Sequence, residues 1–233
     1  MAKPEKPRNR VGKTLIFMTM KKSICFVFLI SCLMLISFAN AQNFKSIKIG
    51  NQTWMTENLN VDTFRNGDSI PQVITAEEWD NAAKAKKPAW CYYNNDTANG
   101  AKYGKLYNWY AVNDSCGLAP KGWHIPTNKE WRELTDYLGG WKVAGTKLKN
   151  KEGWFEEGNG TNESGFSGLP GGRRTCYDKN VYTFVAIGKW GYWWTSTKFT
   201  HKTSKTRSMY YNGTFQWLDW DKGEGMSVRC IKD

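Results

Sequence analysis

Apolar and polar residues alternate over Phe44–Ile49 and again over Gln52–Leu59, on either side of Gly50-Asn51, and this pattern predicts a β-hairpin. The period then lengthens. Thr75-Ala-Glu-Glu78 spells a capping box, in which each side chain satisfies a backbone N–H at the other's position, and it opens a predicted helix that runs through Trp79 and Ala82 to about Lys86, with Pro88 beyond. Thr127 and Glu130 repeat the device. Trp131, Leu134 and Leu138 follow as one apolar stripe, and Gly139-Gly140 supplies a left-handed exit. Just upstream, Gly122–Ile125 reads as a short strand halted by Pro126. Ala89–Tyr93 suits a strand, the turn-rich Asn94–Gly100 follows, and the aromatic run Tyr103–Val112, whose period is ambiguous, reads as a short helix from about Lys105. Val143–Leu148 adds one or two further helical turns.

The second half is different. Seven glycines between Gly153 and Gly172 predict a long ordered loop, and a loop of that length needs a functional or a cross-linking reason to exist. Apolar segments then come at Val181–Ile187, Gly191–Thr197 and Ser208–Tyr211. Thr214–Trp217 pairs back after the Asn212-Gly213 turn, and Gly225–Ile231 reads as a terminal strand. Early helices followed by late antiparallel strands, joined by long ordered loops, make an α+β layout rather than alternating βαβ units.

Residues 1–41 stand apart from this pattern. Met20-Lys-Lys22 is a positive n-region, Ser23–Phe38 an apolar run and Ala39-Asn-Ala41 a small-x-small cleavage site, so the segment reads as a secretory signal peptide with translation starting at Met20. A rival reading takes Leu29-Ile-Ser-Cys32 as a lipoprotein box, with Cys32 lipidated and the protein anchored in an outer membrane. Seven of the 33 Lys and Arg and one of the 21 Asp and Glu lie in this leader, leaving 26 against 20, a net charge of +6 rather than +12. So mild a charge, spread along the chain, is a solvated surface and argues against a nucleic-acid partner. The remaining 192 residues suit one domain, 42–233, and hold all 13 tryptophans and all 11 tyrosines.

Four cysteines remain after cleavage: Cys91, Cys116, Cys176 and Cys230. An even number in an exported chain predicts two disulfides with three possible connectivities, each worth roughly 3 to 5 kcal/mol if unstrained. Their wide spacing is unlike a structural zinc site. Cys91, between Trp90 and Tyr92, has no base beside it in sequence that would make it a nucleophile.

Ile49–Leu59, Trp90–Asp96, Gly104–Val112, Gly122–Pro126, Glu163–Phe166, Leu169–Gly172, Trp193–Thr197 and Ser227–Asp233 resemble, in order, the motifs of the Fibrobacter succinogenes major paralogous domain. The resemblance implies a C-type-lectin-like fold in an exported bacterial protein, distantly similar to formylglycine-generating and sulfatase-modifying domains. It brings no established activity. Cys91 and Cys230 fall inside matching motifs, so the resemblance implies a Cys91–Cys230 disulfide and, by remainder, Cys116–Cys176.

Trp190, Tyr192, Trp193 and Trp194, with Trp217, Asp219, Trp220 and Asp221 in the turn after them, point to carbohydrate. Sugar faces stack on aromatic rings while carboxylates accept hydroxyl hydrogen bonds. Trp193 and Trp194 lie in a family motif and are expected in the core, with neighbours on a strand facing opposite sides. The ligand candidates are therefore Trp190, Tyr192, Trp217, Asp219, Trp220 and Asp221. Asn94-Asn-Asp96 and Asn162-Glu163 offer oxygens for calcium, but the Glu-Pro-Asn type of loop is lacking and such runs are commonly turns. Glu156-Glu157 and Asp219 with Asp221 have the proximity of a glycosidase pair, but any sequence contains such neighbours; the cysteine pair of a formylglycine-generating oxidase is not recognisable, and His124 before Pro126 suits a hydrogen-bonding role better than a general base. The expectation is a cofactor-free, secreted or cell-surface recognition module for an extracellular glycan or protein. The alternatives are a sulfatase-modifying type of enzyme and a structural envelope lipoprotein.

Overall fold

The computed structural model describes Met1 and residues 44–178, 181–213 and 215–233. The expected signal peptide and Cys32 lie outside the described residues. Among those residues no helix is long and apolar enough to cross a membrane.

Within Lys45–Asp233 the helices are α1 (Ala76–Lys84), α2 (Thr97–Tyr103), α3 (Trp109–Val112), α4 (Asn128–Tyr137) and α5 (Trp141–Leu148). The strands are β1 (Ser46–Ile49), β2 (Gln52–Met55), β3 (Trp90–Cys91), β4 (Leu106–Tyr107), β5 (Trp123–His124), β6 (Gly171–Asp178), β7 (Val181–Ile187), β8 (Trp190–Lys198), β9 (Thr203–Tyr210), β10 (Phe215–Asp221) and β11 (Ile231–Lys232). They form a four-stranded sheet in the order β1-β2-β11-β5, a five-stranded sheet in the order β10-β9-β8-β6-β7, and the pair β3-β4. This is a mixed α+β fold with mainly antiparallel pairing. Between named strands the exception is the parallel bridge from β6 to β8 at Gly172 and Gly191. A Cβ on Gly172, whose φ is +63°, would fall 2.5 Å from the Val185 carbonyl, and one on Gly191 would fall 2.3 Å from the Trp193 ring, so the crossing needs two glycines.

Both capping boxes form, with Thr75 and Glu78 on α1 and Thr127 and Glu130 on α4. The apolar stripe of α4 enters the main core, where Trp131 meets Trp54, Phe166, Trp193 and Phe215. A second core gathers Trp79 of α1, Cys91 of β3 and Leu106 of β4 under the aromatic side chains of β7. Trp193 and Trp194 are both fully buried: Trp193 belongs to the main core, and Trp194 donates from Nε1 to the Tyr107 carbonyl at 2.8 Å. Protein covers both sides of β8, so alternation separates the two rings without exposing either.

Three expectations are corrected. The turn-rich Asn94–Gly100 contains the start of α2, capped by Asp96. No helix begins at Lys105: β4 comes first, and Asn108 then caps α3 by accepting from the Ala111 N–H. Gly225–Ile231 is not one strand either. Gly225, Met226 and Ser227 bridge in turn to Arg174, Tyr107 and Trp193, so the segment threads between sheets and changes partner at each residue.

Candidate functional site

Trp190 and Tyr192 are alternate residues of β8 and share a face. Their rings stack with centroids 5.6 Å apart and planes 14° apart, and Tyr210, opposite Trp190 in the β8–β9 register, stacks on Trp190 at 4.2 Å. Three small residues of β9, Ser204, Thr206 and Ser208, lie on the same side and are fully buried. From β10, whose Trp220 pairs with Ser204, the Trp220 ring reaches the Arg173 guanidinium of β6 at 3.5 Å, and that guanidinium lies 5.0 Å from Tyr192. One continuous strip results: Tyr210, Trp190, Tyr192, Arg173, Trp220. Glu224 anchors it from behind through a 3.1 Å ion pair to Arg173. Burial pushes the Glu224 carboxyl up to about 7, against the pull of Arg173.

The strip continues at its other end. Tyr211 packs on Tyr210 at 4.2 Å and on Phe155 at 5.6 Å, and lines a cleft of about 320 Å³ with Glu156, Glu157, Asn159 and Asn212. This cleft lies where the long glycine-rich loop meets the β9–β10 turn. Buried Lys149 holds the junction by donating to the carbonyls of Gly158 and Tyr211, and burial lowers its ammonium to about 8. Glu156 takes a left-handed φ of 54°, unusual for a residue with a side chain. The loop thus places two carboxylates and an amide beside the rings of Tyr211 and Phe155.

Sequence candidates are divided by strand alternation. Trp190, Tyr192 and Trp220 belong to the strip. Trp217 and Trp220 do not sit in a turn, as expected, but in β10. Trp217 projects toward the main core, with Arg207 over its ring at 3.7 Å and Arg132 at 5.2 Å. Asp219 pairs with Lys205 at 3.4 Å. Asp221 accepts from the Gly223 N–H and lines a separate cleft of about 590 Å³ between α1, α3, β7 and the β8–β9 loop. Tyr210, Tyr211, Arg173, Tyr110 and Tyr182 were missing from the candidates. Register placed Tyr210 beside Trp190 once Ser208–Tyr211 was read as a strand; nothing in the sequence distinguished Arg173 from a surface arginine.

The expected disulfides are absent: all four cysteines carry free thiols. Cys91 lies in the second core beside Arg174, whereas Cys230 neighbours Arg229 and Tyr107; burial raises both thiols to about 12. Cys116 sits 3.8 Å from the Asp68 carboxylate, while Cys176 lines the larger cleft. Of the oxygens considered for calcium, Asp96 caps α2, Asn162 is bonded to Ser167 and Glu163 lies 3.8 Å from Lys147, whereas the buried Asn95 Oδ1 has no hydrogen-bond partner among the described residues. His124 uses both ring nitrogens at 2.8 Å, on Glu130 and on Asp233, tying the C-terminus to the α4 cap.

No curated protein and no solved structure matches the chain. Residues 47–232 match the family model described as the Fibrobacter succinogenes major domain, which spans both sheets, the strip and both clefts, and the chain belongs to that family.

Proposed function

We propose that this chain is an exported recognition module of C-type-lectin-like architecture that binds a glycan at the Trp190–Tyr210–Tyr211 end of the aromatic strip, where Tyr192 and Arg173 lie buried behind the contact. The observation that carries the reading is the half-exposed Trp190 ring, stacked on Tyr210 and continuing through Tyr211 into a cleft with Glu156, Glu157 and Asn159. Flat aromatic faces meet the C–H faces of sugar rings, and the adjoining carboxylates and amide accept and donate hydroxyl hydrogen bonds. Export supplies the compartment in which such a ligand is met.

Glycan-array binding, followed by titration of the best hit, tests the site. Trp190→Ala and Glu157→Gln should each weaken binding by about tenfold, the scale of one aromatic contact or charge-assisted hydrogen bond. Unchanged affinity in both variants would remove the strip and its cleft as the binding site. Trp217→Ala is unsuited to this purpose, since it excavates the core.

A further inference from the structure

The larger cleft collects polar groups that the fold leaves unused. Among the described residues, the hydroxyls of Tyr110 (α3) and Tyr182 (β7) make no hydrogen bond, and Asp221 uses its carboxylate only on the Gly223 N–H. Tyr182 stands over Gly223, where even a Cβ would come within 2.3 Å of its hydroxyl, and burial, joined by the charges of Asp221 and Glu224, pushes the phenol well above its ordinary range and keeps it neutral. Two neutral phenols and a carboxylate converging on about 590 Å³ match the donors and acceptors of a sugar ring.

Charge at the mouth narrows the class. Asp80 is held by Lys84 at 2.6 Å and Glu224 by Arg173, so both carboxylates are neutralised within the protein. What remains facing the cleft is Asp221 against Lys86 and Lys202, with His201 beside them. The wall suits hydroxyls and the rim suits an anion.

We propose that this cleft is a subsite for an acidic sugar, a uronate whose hydroxyls bond Tyr110, Tyr182 and Asp221 and whose carboxylate meets Lys86 and Lys202. The inference rests on the glycan reading of the strip and extends it. Glu224 lines the cleft and, buried, also grips Arg173 beneath the strip, so the two features share one internal support.

Calorimetric titration of the full chain with oligogalacturonate, and with a neutral galacto-oligosaccharide of equal length, tests the subsite. The acidic probe should bind about tenfold more tightly, and both added salt and the double variant Lys86→Gln/Lys202→Gln should erase that preference. Tyr110→Phe, which removes only a hydroxyl, should weaken the acidic probe about three- to tenfold. Equal affinity for the two probes, or a preference that survives the double variant, overturns the uronate assignment. If Trp190→Ala abolishes binding while the three cleft substitutions change nothing, this subsite fails and the strip stands. If neither saccharide binds and the glycan array is blank, both readings fail together.

Discussion

Glu224 is the residue on which most of the local electrostatics turns. It is 4% exposed, paired with Arg173, and shares its surroundings with Cys176 of β6, Tyr182 of β7 and Asp221 at the end of β10. Its folded pKa, about 7, lies above the ordinary carboxylate value, so the folded state holds the proton more tightly than the unfolded chain does. The resulting stabilisation is fully present below the unfolded value near 4.5 and is lost as pH rises through about 7. Urea midpoints measured from pH 4.5 to 8 should therefore fall across this window, and Glu224→Gln should flatten that part of the profile. A wild-type profile with no such fall would contradict the shift. His124 acts in the same direction near neutrality: burial lowers its pKa, but the hydrogen bonds and charges of Glu130 and Asp233 outweigh it and raise it overall, so its contribution, present below 6.5, is also lost as pH rises. His124→Gln in the Glu224→Gln background separates the two.

The elements that sequence reasoning located are those whose signals are local. A capping box involves four consecutive residues and a hairpin turn two, so α1, α4 and the β1–β2 pair were legible. Thr127→Ala should lower stability by about 1 kcal/mol, the usual loss for a capping hydroxyl. Trp131→Ala, four residues on and fully buried, should cost about 3 to 5 kcal/mol, and chemical denaturation that ranked the two the other way would mean α4 is not anchored as described. β6 was not legible, because Arg173 and Arg174 break any apolar alternation although both are nearly fully buried, one against Glu224 and the other on backbone carbonyls. The terminal segment failed for a related reason: its partners sit on three different elements, and no short-range pattern encodes that. The candidate site was half legible. Aromatic density marked Trp190, Tyr192 and Trp220, but setting Trp217 and Trp220 on opposite faces required knowing that β10 runs on to Asp221 and does not end at Trp217.

At the scale of the whole molecule, buried cations stand where disulfides were expected. Arg174 donates to the carbonyls of Val73, Ile74 and Thr75; Arg229 to those of Met55 and Phe166; Lys149 to those of Gly158 and Tyr211; Lys222 to those of Thr200 and His201; and Lys105 to that of Asn60. Each fastens a loop to a core element. Arg174→Met keeps the bulk under Trp79 but orphans three carbonyls, and should reduce stability by about 3 kcal/mol, whereas adding reductant should leave the denaturation midpoint unmoved. A midpoint that drops on reduction would show that cross-links carry the fold after all.

These cations grip main-chain oxygens, and a main-chain oxygen is the same whichever amino acid bears it. A loop held in this way keeps its path while its side chains are exchanged. The segments around Glu156–Asn159 and Thr200–Lys202, which border the two clefts, are therefore places where side chains can be exchanged without rebuilding the supports of the fold.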